Sequence, residues 1–247
     1  MKTDKYQRRF YRNWVKAKDL HLTHLVDRET DLQILTNKTL DKEFVKERVR
    51  AYRWDIQDYI GKDRRFLSAL KPVAVELNAP AIIKQMAEAA EKANIGPMAA
   101  VAGAVAECLG RDLLSKGYKD VIIENGGDIF LKTRRTCAIG VYAGRAKLWN
   151  KLALKIKPKD TPLGVCTSSG TIGHSLSFGH ADSVVVLSGN TSLADAVATA
   201  ICNRVKSKAD LPGALNFAKS IPGILGVIIV IKKHLMSWGR VEFSENT

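Results

Sequence analysis

Apolar side chains recur at helical spacing from residue 41 to residue 60. Phe44, Val45, Val49, Tyr52, Ile56, Tyr59 and Ile60 share one face, which predicts an amphipathic helix over Asp41–Ile60 with Gly61 as its C-cap. Before it, His21–Val26 and Asp31–Thr36 are rich in β-forming residues and flank a polar Asp27-Arg28-Glu29-Thr30, the pattern of a hairpin. Pro80 suits the first turn of a helix running to about Ala93. Met98–Lys116 is an Ala- and Leu-rich run ended by Gly117, which predicts a buried helix. Residues Asp120–Arg135 read as two strands around Asn125-Gly126-Gly127-Asp128, and Ala138–Ala143 and Leu152–Lys157 as two more. Gly164–Phe178, dense in Ser, Thr and Gly, reads as loop. A strand at Asp182–Leu187, helices at Ser192–Val205 and Leu211–Ser220, and strands at Gly226–Ile231 and Leu235–Phe243 complete the chain. Helices and strands mix without strict βαβ alternation, so the expected class is α+β with a largely antiparallel sheet.

The balance of 46% hydrophobic and 26% charged residues in 247 is that of a globular chain able to bury a large core. That length suits one domain over 1–247, or two intimately packed lobes. The first residues hold no apolar stretch, and the longest apolar runs, Met98–Val105 and Gly226–Ile231, are too short to span a bilayer. The expectation is a cytoplasmic protein with no membrane partner. Cys108, Cys137, Cys166 and Cys202 are irregularly spaced without a C-x-x-C, which argues against a disulfide framework or a zinc site. Net charge is +14, and residues 132–159 carry nine Lys or Arg and no Asp or Glu. Such a field attracts anionic metabolites or nucleic acid, but no nucleic-acid-binding motif accompanies it, which disfavours the latter.

Four segments carry candidate chemistry. Gly96-Pro97-Met98-Ala99-Ala100-Val101-Ala102-Gly103 opens a helix with small side chains, which suits either an anion at free N–H groups or tight packing on a sheet. Asn125-Gly126-Gly127-Asp128 is either a ligand-approaching turn flanked by two polar side chains or an ordinary hairpin turn. Cys166 to Asp182 gathers Ser168, Ser169, Gly170, Ser175 and Ser177 with His174 and His180, a concentration of hydroxyls and titratable rings suited to holding a polar ligand. Asp195 and Thr199 lie four apart on one helix face, where two hard oxygens can hold Mg²⁺. Ser192 with Asp195 equally fits a capping box.

In this order the four segments resemble the ApbE-like superfamily of FAD:protein FMN transferases. Those enzymes carry a Gly-rich helix start, a G-G-D turn, a T-S-G loop and an A-D-A-x-A-T helix. The matching stretches are Gly96–Gly103, Gly126-Gly127-Asp128, Ser168-Ser169-Gly170 and Ala194-Asp195-Ala196-Val197-Ala198-Thr199. The likeness spans about residues 94–205. Nearly end to end, the chain is similar to an uncharacterised branch of that superfamily. The two share Glu29-Thr30-Asp31-Leu32, Gly96-Pro97-Met98-Ala99, Glu124-Asn125-Gly126-Gly127-Asp128-Ile129 and the Ser168–Gly179 loop.

The resemblance implies an ApbE-like fold, Mg²⁺ on Asp195 and Thr199, and FAD or another nucleotide as ligand. The four segments offer ligand contacts from Gly96, Met98, Asn125, Gly126, Gly127, Ser168, Ser169, Gly170, Ser175 and Ser177, with His174, Asp128 and Cys166 as the groups for chemistry; Cys166 reads either as a sulfur-carrying thiol or as a buried structural one. The resemblance also implies a link to sulfide assimilation and homocysteine formation. Two departures bear on activity: Ala102-Gly103 stands where the transferases have Lys-Gly, and their H-I-x-D-P-x-T-G stretch is missing. Three functions follow: an enzyme or enzyme subunit of sulfur metabolism, a flavin transferase with an altered site, or a non-catalytic module for a nucleotide or small anion. Each is compatible with a homo-oligomer.

Overall fold

The computed structural model describes residues 19–141, 149, 152–170 and 179–245. Eleven strands form two sheets among them. The large sheet holds eight strands in the order β1 (His21–Asp27), β2 (Thr30–Thr36), β3 (Val121–Asn125), β4 (Asp128–Lys132), β7 (Leu163–Ser168), β8 (Ser183–Ser188), β9 (Ile224–Ile231) and β10 (His234–Gly239). The small sheet is ordered β11 (Phe243–Glu245), β6 (Leu152–Ile156), β5 (Cys137–Gly140). Every pairing is antiparallel. The helices are α1 (Lys42–Lys62), α2 (Arg65–Ser68), α3 (Ala81–Ala93), α4 (Val101–Ser115), α5 (Thr191–Arg204) and α6 (Leu211–Ser220). This is the expected α+β architecture.

The large sheet is apolar on both faces. On one, Ile34, Ile123, Phe130, Cys166, Val184, Val186 and Ile229 meet the helices. On the other, Ile122, Leu131, Val165, Val185 and Ile228 meet Ile139, Leu154 and Ile156 of the small sheet. Near-continuous apolar runs such as Val184–Leu187 follow from this double covering, which removes the alternation of a half-exposed strand. Among the described residues no single helix is long and apolar enough to cross a membrane, and the one pair that passes jointly, α3 with residues 97–115, is bent by 105°.

Several boundaries differ from the sequence expectation. The first half of the Ser/Thr/Gly-rich segment is a strand, β7, in the middle of the sheet. Its glycine admits a neighbour: a Cβ on Gly164 would lie 2.5 Å from the Cα of Thr191 in α5. Gly61 does not end α1, which continues to Lys62 with Asp63 as C-cap. The helix predicted from Met98 opens with a tight 3₁₀ turn, Pro97–Ala100, before α4. The expected strand Leu235–Phe243 divides at Gly239, whose φ of 86° turns the chain out of the large sheet toward β6.

Candidate functional site

Gly126 and Gly127 form the two-residue turn between β3 and β4, with Asn125 paired to Asp128. Their φ values are 69° and 105°, and a turn that needs φ > 0 at both centres favours glycine strongly. A Cβ on Gly126 would meet nothing within 4 Å, so local conformation alone explains this glycine. The Gly127 N–H donates to Glu124 Oε1 at 2.8 Å, and the Asn125 side-chain amide donates to the Ala102 carbonyl at 3.1 Å. That second bond brings the turn to the start of α4.

Asp195 arrives at the same place from α5. Asn190 caps this helix by accepting from the Leu193 N–H at 2.7 Å, and Glu107 Oε2 accepts from the Thr191 N–H at 2.7 Å. The capping box expected of Ser192 and Asp195 is therefore absent: α5 starts one residue earlier, and both side chains lie inside it. Asp195 caps a different helix instead. Its Oδ2 accepts from the Gly103 N–H of α4 at 2.8 Å, where an anion is favoured by the free donors and the helix dipole. The two helices approach closely because residue 103 has no side chain. A Cβ there would lie 2.6 Å from the Thr191 carbonyl oxygen and 2.8 Å from Asp195 Cβ. Gly103→Ala is expected to cost about 1–3 kcal/mol, read as a lowered urea midpoint, because neither contact can move without shifting a helix.

Asp128 completes the cluster. The Thr167 N–H donates to its Oδ1 at 3.3 Å, and the Cys166 thiol also contacts its carboxylate. Burial raises the Asp128 pKa well above the usual range, and the Asp195 charge raises it further. Burial also lifts Asp195, to about 7, against the lowering effect of the Gly103 and Ala102 N–H groups. Among the described residues neither carboxylate has a Lys or Arg in an ion pair. Two buried acids without a basic partner must share protons or accept a cation.

Thr199 lies one helical turn beyond Asp195 and is buried, and Ser168 is buried two residues beyond Cys166 in β7. The Ser168 hydroxyl is buried without a hydrogen-bond partner in the described structure. The Cys166 thiol donates to the Thr191 carbonyl at 3.3 Å and is fully buried; burial, then the two carboxylates, push its pKa far up. A thiol in that state is a poor nucleophile. Gly96 faces away from this cluster's bonds: a Cβ there would lie 1.8 Å from the Ala69 carbonyl oxygen, so its bareness serves packing against the segment after α2. Met98 is half-buried against the helix-side core. Gly170 follows Ser169 and donates its N–H to the Ala181 carbonyl at 2.9 Å, with Gly179 packed against it. His174, Ser175 and Ser177 lie outside the described residues.

Asp128, Asp195 and Thr199 are the oxygen donors here that could hold a cation. Among the described residues no three His, Cys, Asp or Glu side chains group to form a cage. Two carboxylates and a hydroxyl leave coordination sites for water and ligand oxygens, which is how Mg²⁺ is commonly held. The sequence reading missed Glu107. Its carboxylate is 1% exposed and joins Thr191 of α5, Gln85 of α3 and Arg111 of α4. The available signal was an acid one turn after Gly103 and one turn before Arg111, within an Ala- and Leu-rich helix. Two open surface hollows, lined by Arg65–Ala74 and by residues between Asp41 and Lys116, lie apart from this cluster.

A family model described as "AbpE bacteria" matches residues 12–217. A UPF0280 protein of Methanospirillum hungatei is 44% identical over 218 residues, covering 88% of this chain and 87% of that protein. A UPF0280 protein of Methanocaldococcus jannaschii is 40% identical over 225 residues, covering 88% and 90%. Among solved structures, the flavin transferase ApbE from Vibrio cholerae aligns with a TM-score of 0.59 at 14% identity, covering 89% of this chain and 97% of that one. The Pseudomonas stutzeri flavinyl transferase ApbE aligns at 0.56 and 13% identity, covering 91% and 94%. At such identities these two structures speak to the fold.

Proposed function

Since the chain belongs to the UPF0280 family of ApbE-like proteins, we propose that it is an enzyme or enzyme subunit that binds an anionic, nucleotide-type ligand through a divalent cation held by Asp195, Asp128 and Thr199. The observation that carries this reading is the pair of buried carboxylates, without a basic partner among the described residues, beside the start of α4 that both Asp195 and Asn125 bind. A bound Mg²⁺ would neutralise the pair and polarise an oxygen of the ligand. Gly103 and Ala102 orient the Asp195 carboxylate through their N–H groups, and the Ser168 hydroxyl, without a partner among the described residues, is a ready hydrogen-bond donor.

Titration with Mn²⁺, followed by electron paramagnetic resonance, tests the cation. The wild-type chain is expected to take up the metal, and Asp195→Asn and Asp128→Asn to weaken it at least about tenfold, the loss of one charged ligand. A wild-type protein that leaves Mn²⁺ free in solution ends the proposal.

Likeness in fold to the Vibrio cholerae and Pseudomonas stutzeri enzymes supports a second reading, flavin transfer through an altered site. Ala102 in place of the lysine of the resembling motif weighs against it. Incubation with FAD, Mg²⁺ and a candidate acceptor separates the two: AMP release and a mass increase of the acceptor favour transfer. The cytoplasmic setting in sulfide assimilation or homocysteine formation is supported by the resemblance alone. Cys166, buried and hydrogen-bonded, is not proposed as a sulfur carrier.

A further inference from the structure

The stem Gly179–Asp182, which leads out of the Ser- and Gly-rich segment, is fastened on both sides to cationic turns. On one side Gly179 lies on the end of α5, where a Cβ would stand 1.6 Å from the Cys202 carbonyl oxygen. The His180 N–H donates to the Val205 carbonyl at 2.8 Å. On the other side the Asp182 N–H donates to the Val230 carbonyl at 2.9 Å, and its carboxylate accepts from the Lys232 N–H at 2.6 Å. This last bond steadies the β9–β10 turn, in which Lys232 has a φ of 53°.

The two fastened segments carry Arg204, Lys206, Lys208, Lys232 and Lys233, all exposed. None of the four lysines is in an ion pair among the described residues, whereas Lys46, Lys62, Lys155 and Lys157 each are. The neighbouring acids are already engaged by backbone. Asp182 accepts from Lys232, and Asp210 accepts from the Lys206 and Ser207 N–H groups at 3.0 and 2.8 Å. Five basic side chains thus stand against two carboxylates, Asp182 and Asp210, both held by backbone N–H groups, so the surface is net positive.

Its chemistry selects the class of partner. Single-stranded nucleic acid is held by rings on which bases stack, and none of the large exposed hydrophobic side chains lies on these segments. Among the described residues the stem exposes one imidazole, His180, which is too little for a stacking platform, and the Phe217 ring is covered by the Arg204 guanidinium, whose carbon lies 3.6 Å from the ring centre. Hydrated ammonium groups on flexible stems suit scattered carboxylates, which need no planar fork. We propose that this face docks the acidic surface of a partner protein, bringing that partner beside the Gly179–Asp182 stem. The surface stands whatever Asp128 and Asp195 hold.

The test uses the full-length chain and two fluorescent probes, a short glutamate-rich peptide and an oligouridylate of matching charge. One variant carries Lys206→Glu, Lys208→Glu, Lys232→Glu and Lys233→Glu. A control of equal charge carries Lys42→Glu, Lys71→Glu, Lys92→Glu and Lys119→Glu, at exposed positions elsewhere. By fluorescence anisotropy at moderate salt, the peptide is expected to bind the wild type more tightly than the oligouridylate does. The first variant is expected to weaken the peptide about tenfold or more, and the control far less. Equal losses in the two variants would mean diffuse attraction to net charge and overturn the proposal. So would an oligouridylate that binds as tightly as the peptide.

Discussion

Without divalent cation, the protein is expected to lose about 3 kcal/mol of stability as the pH rises from about 5 to about 8. The cause is the buried pair. The folded-state pKa of Asp195 stands at about 7, above the ordinary aspartate value, because burial disfavours its charge; Asp128 is raised for the same reason and by the charge of Asp195. A carboxyl that holds its proton longer when folded stabilises the native state fully below its unfolded pKa. That contribution drains away as pH rises through the folded value. The lowered carboxylates, among them Asp120 beside Arg134 and Glu242 beside Lys157 and Lys155, act in the opposite sense, but at more acidic pH. The window from about 5 to about 8 therefore belongs to the pair. Urea midpoints measured across it in EDTA check the effect. Asp195→Asn should flatten most of the slope, and Asp128→Asn with Asp195→Asn all of it. Mg²⁺ should restore stability at the alkaline end for the wild type alone. A wild-type midpoint that does not move with pH would show that the pair titrates as in water.

Glu107→Ala is expected to cost about 3–5 kcal/mol, the largest loss from any single substitution considered. The carboxylate accepts from the N–H of Thr191 at 2.7 Å and of Ser192 at 3.4 Å, from the Gln85 side chain at 2.9 Å, and from Arg111 at 2.5 Å. Removing it orphans buried donors at the start of α5, and truncation opens a void among α3, α4 and α5. Glu107→Gln keeps an acceptor oxygen and should recover a good part of the loss. Because α5 carries both Asp195 and Thr199, the alanine variant that remains folded should also bind Mn²⁺ more weakly. Denaturant titration gives the first quantity and metal titration the second. A stability change within about 0.5 kcal/mol would mean that water replaces the carboxylate there.

Much of the local structure was legible in residue order. The hairpin at Asn125–Asp128 follows from two adjacent glycines between β-forming runs, and its φ values are those such a turn requires. The amphipathic spacing of Val45, Val49, Tyr52, Ile56 and Tyr59 was enough to place α1, and those residues are the ones buried. Gly117, at φ 80°, closes α4 as expected, with the Tyr118 N–H reaching the Leu113 carbonyl. The convergence of Asp128, Asp195 and Ser168 is an expectation from their resemblance to a known pattern; the bonds present join Asp195 and Asn125, beside the glycine turn, to the start of α4.

What escaped the sequence shares one physical origin. Gly164–Ser168 reads as loop because glycine, serine and threonine are locally turn-prone, yet it lies in a central strand because its neighbours β4 and β8 supply its hydrogen bonds and α5 needs the space above Gly164. Asp195 fits a cap for its own helix by spacing, but it caps α4, a helix 92 residues away in the chain. Glu107 shows only a local pairing with Arg111 one turn on, and its other partners come from α3 and α5. Backbone dihedral preferences and side-chain periodicity act between near neighbours, so the sequence by itself determined turns, helix faces and strand runs. Which carboxylate meets which orphan N–H, and which glycine must stay bare, depends on groups that become adjacent only after the helices pack on the sheet, and the tertiary structure alone decided those.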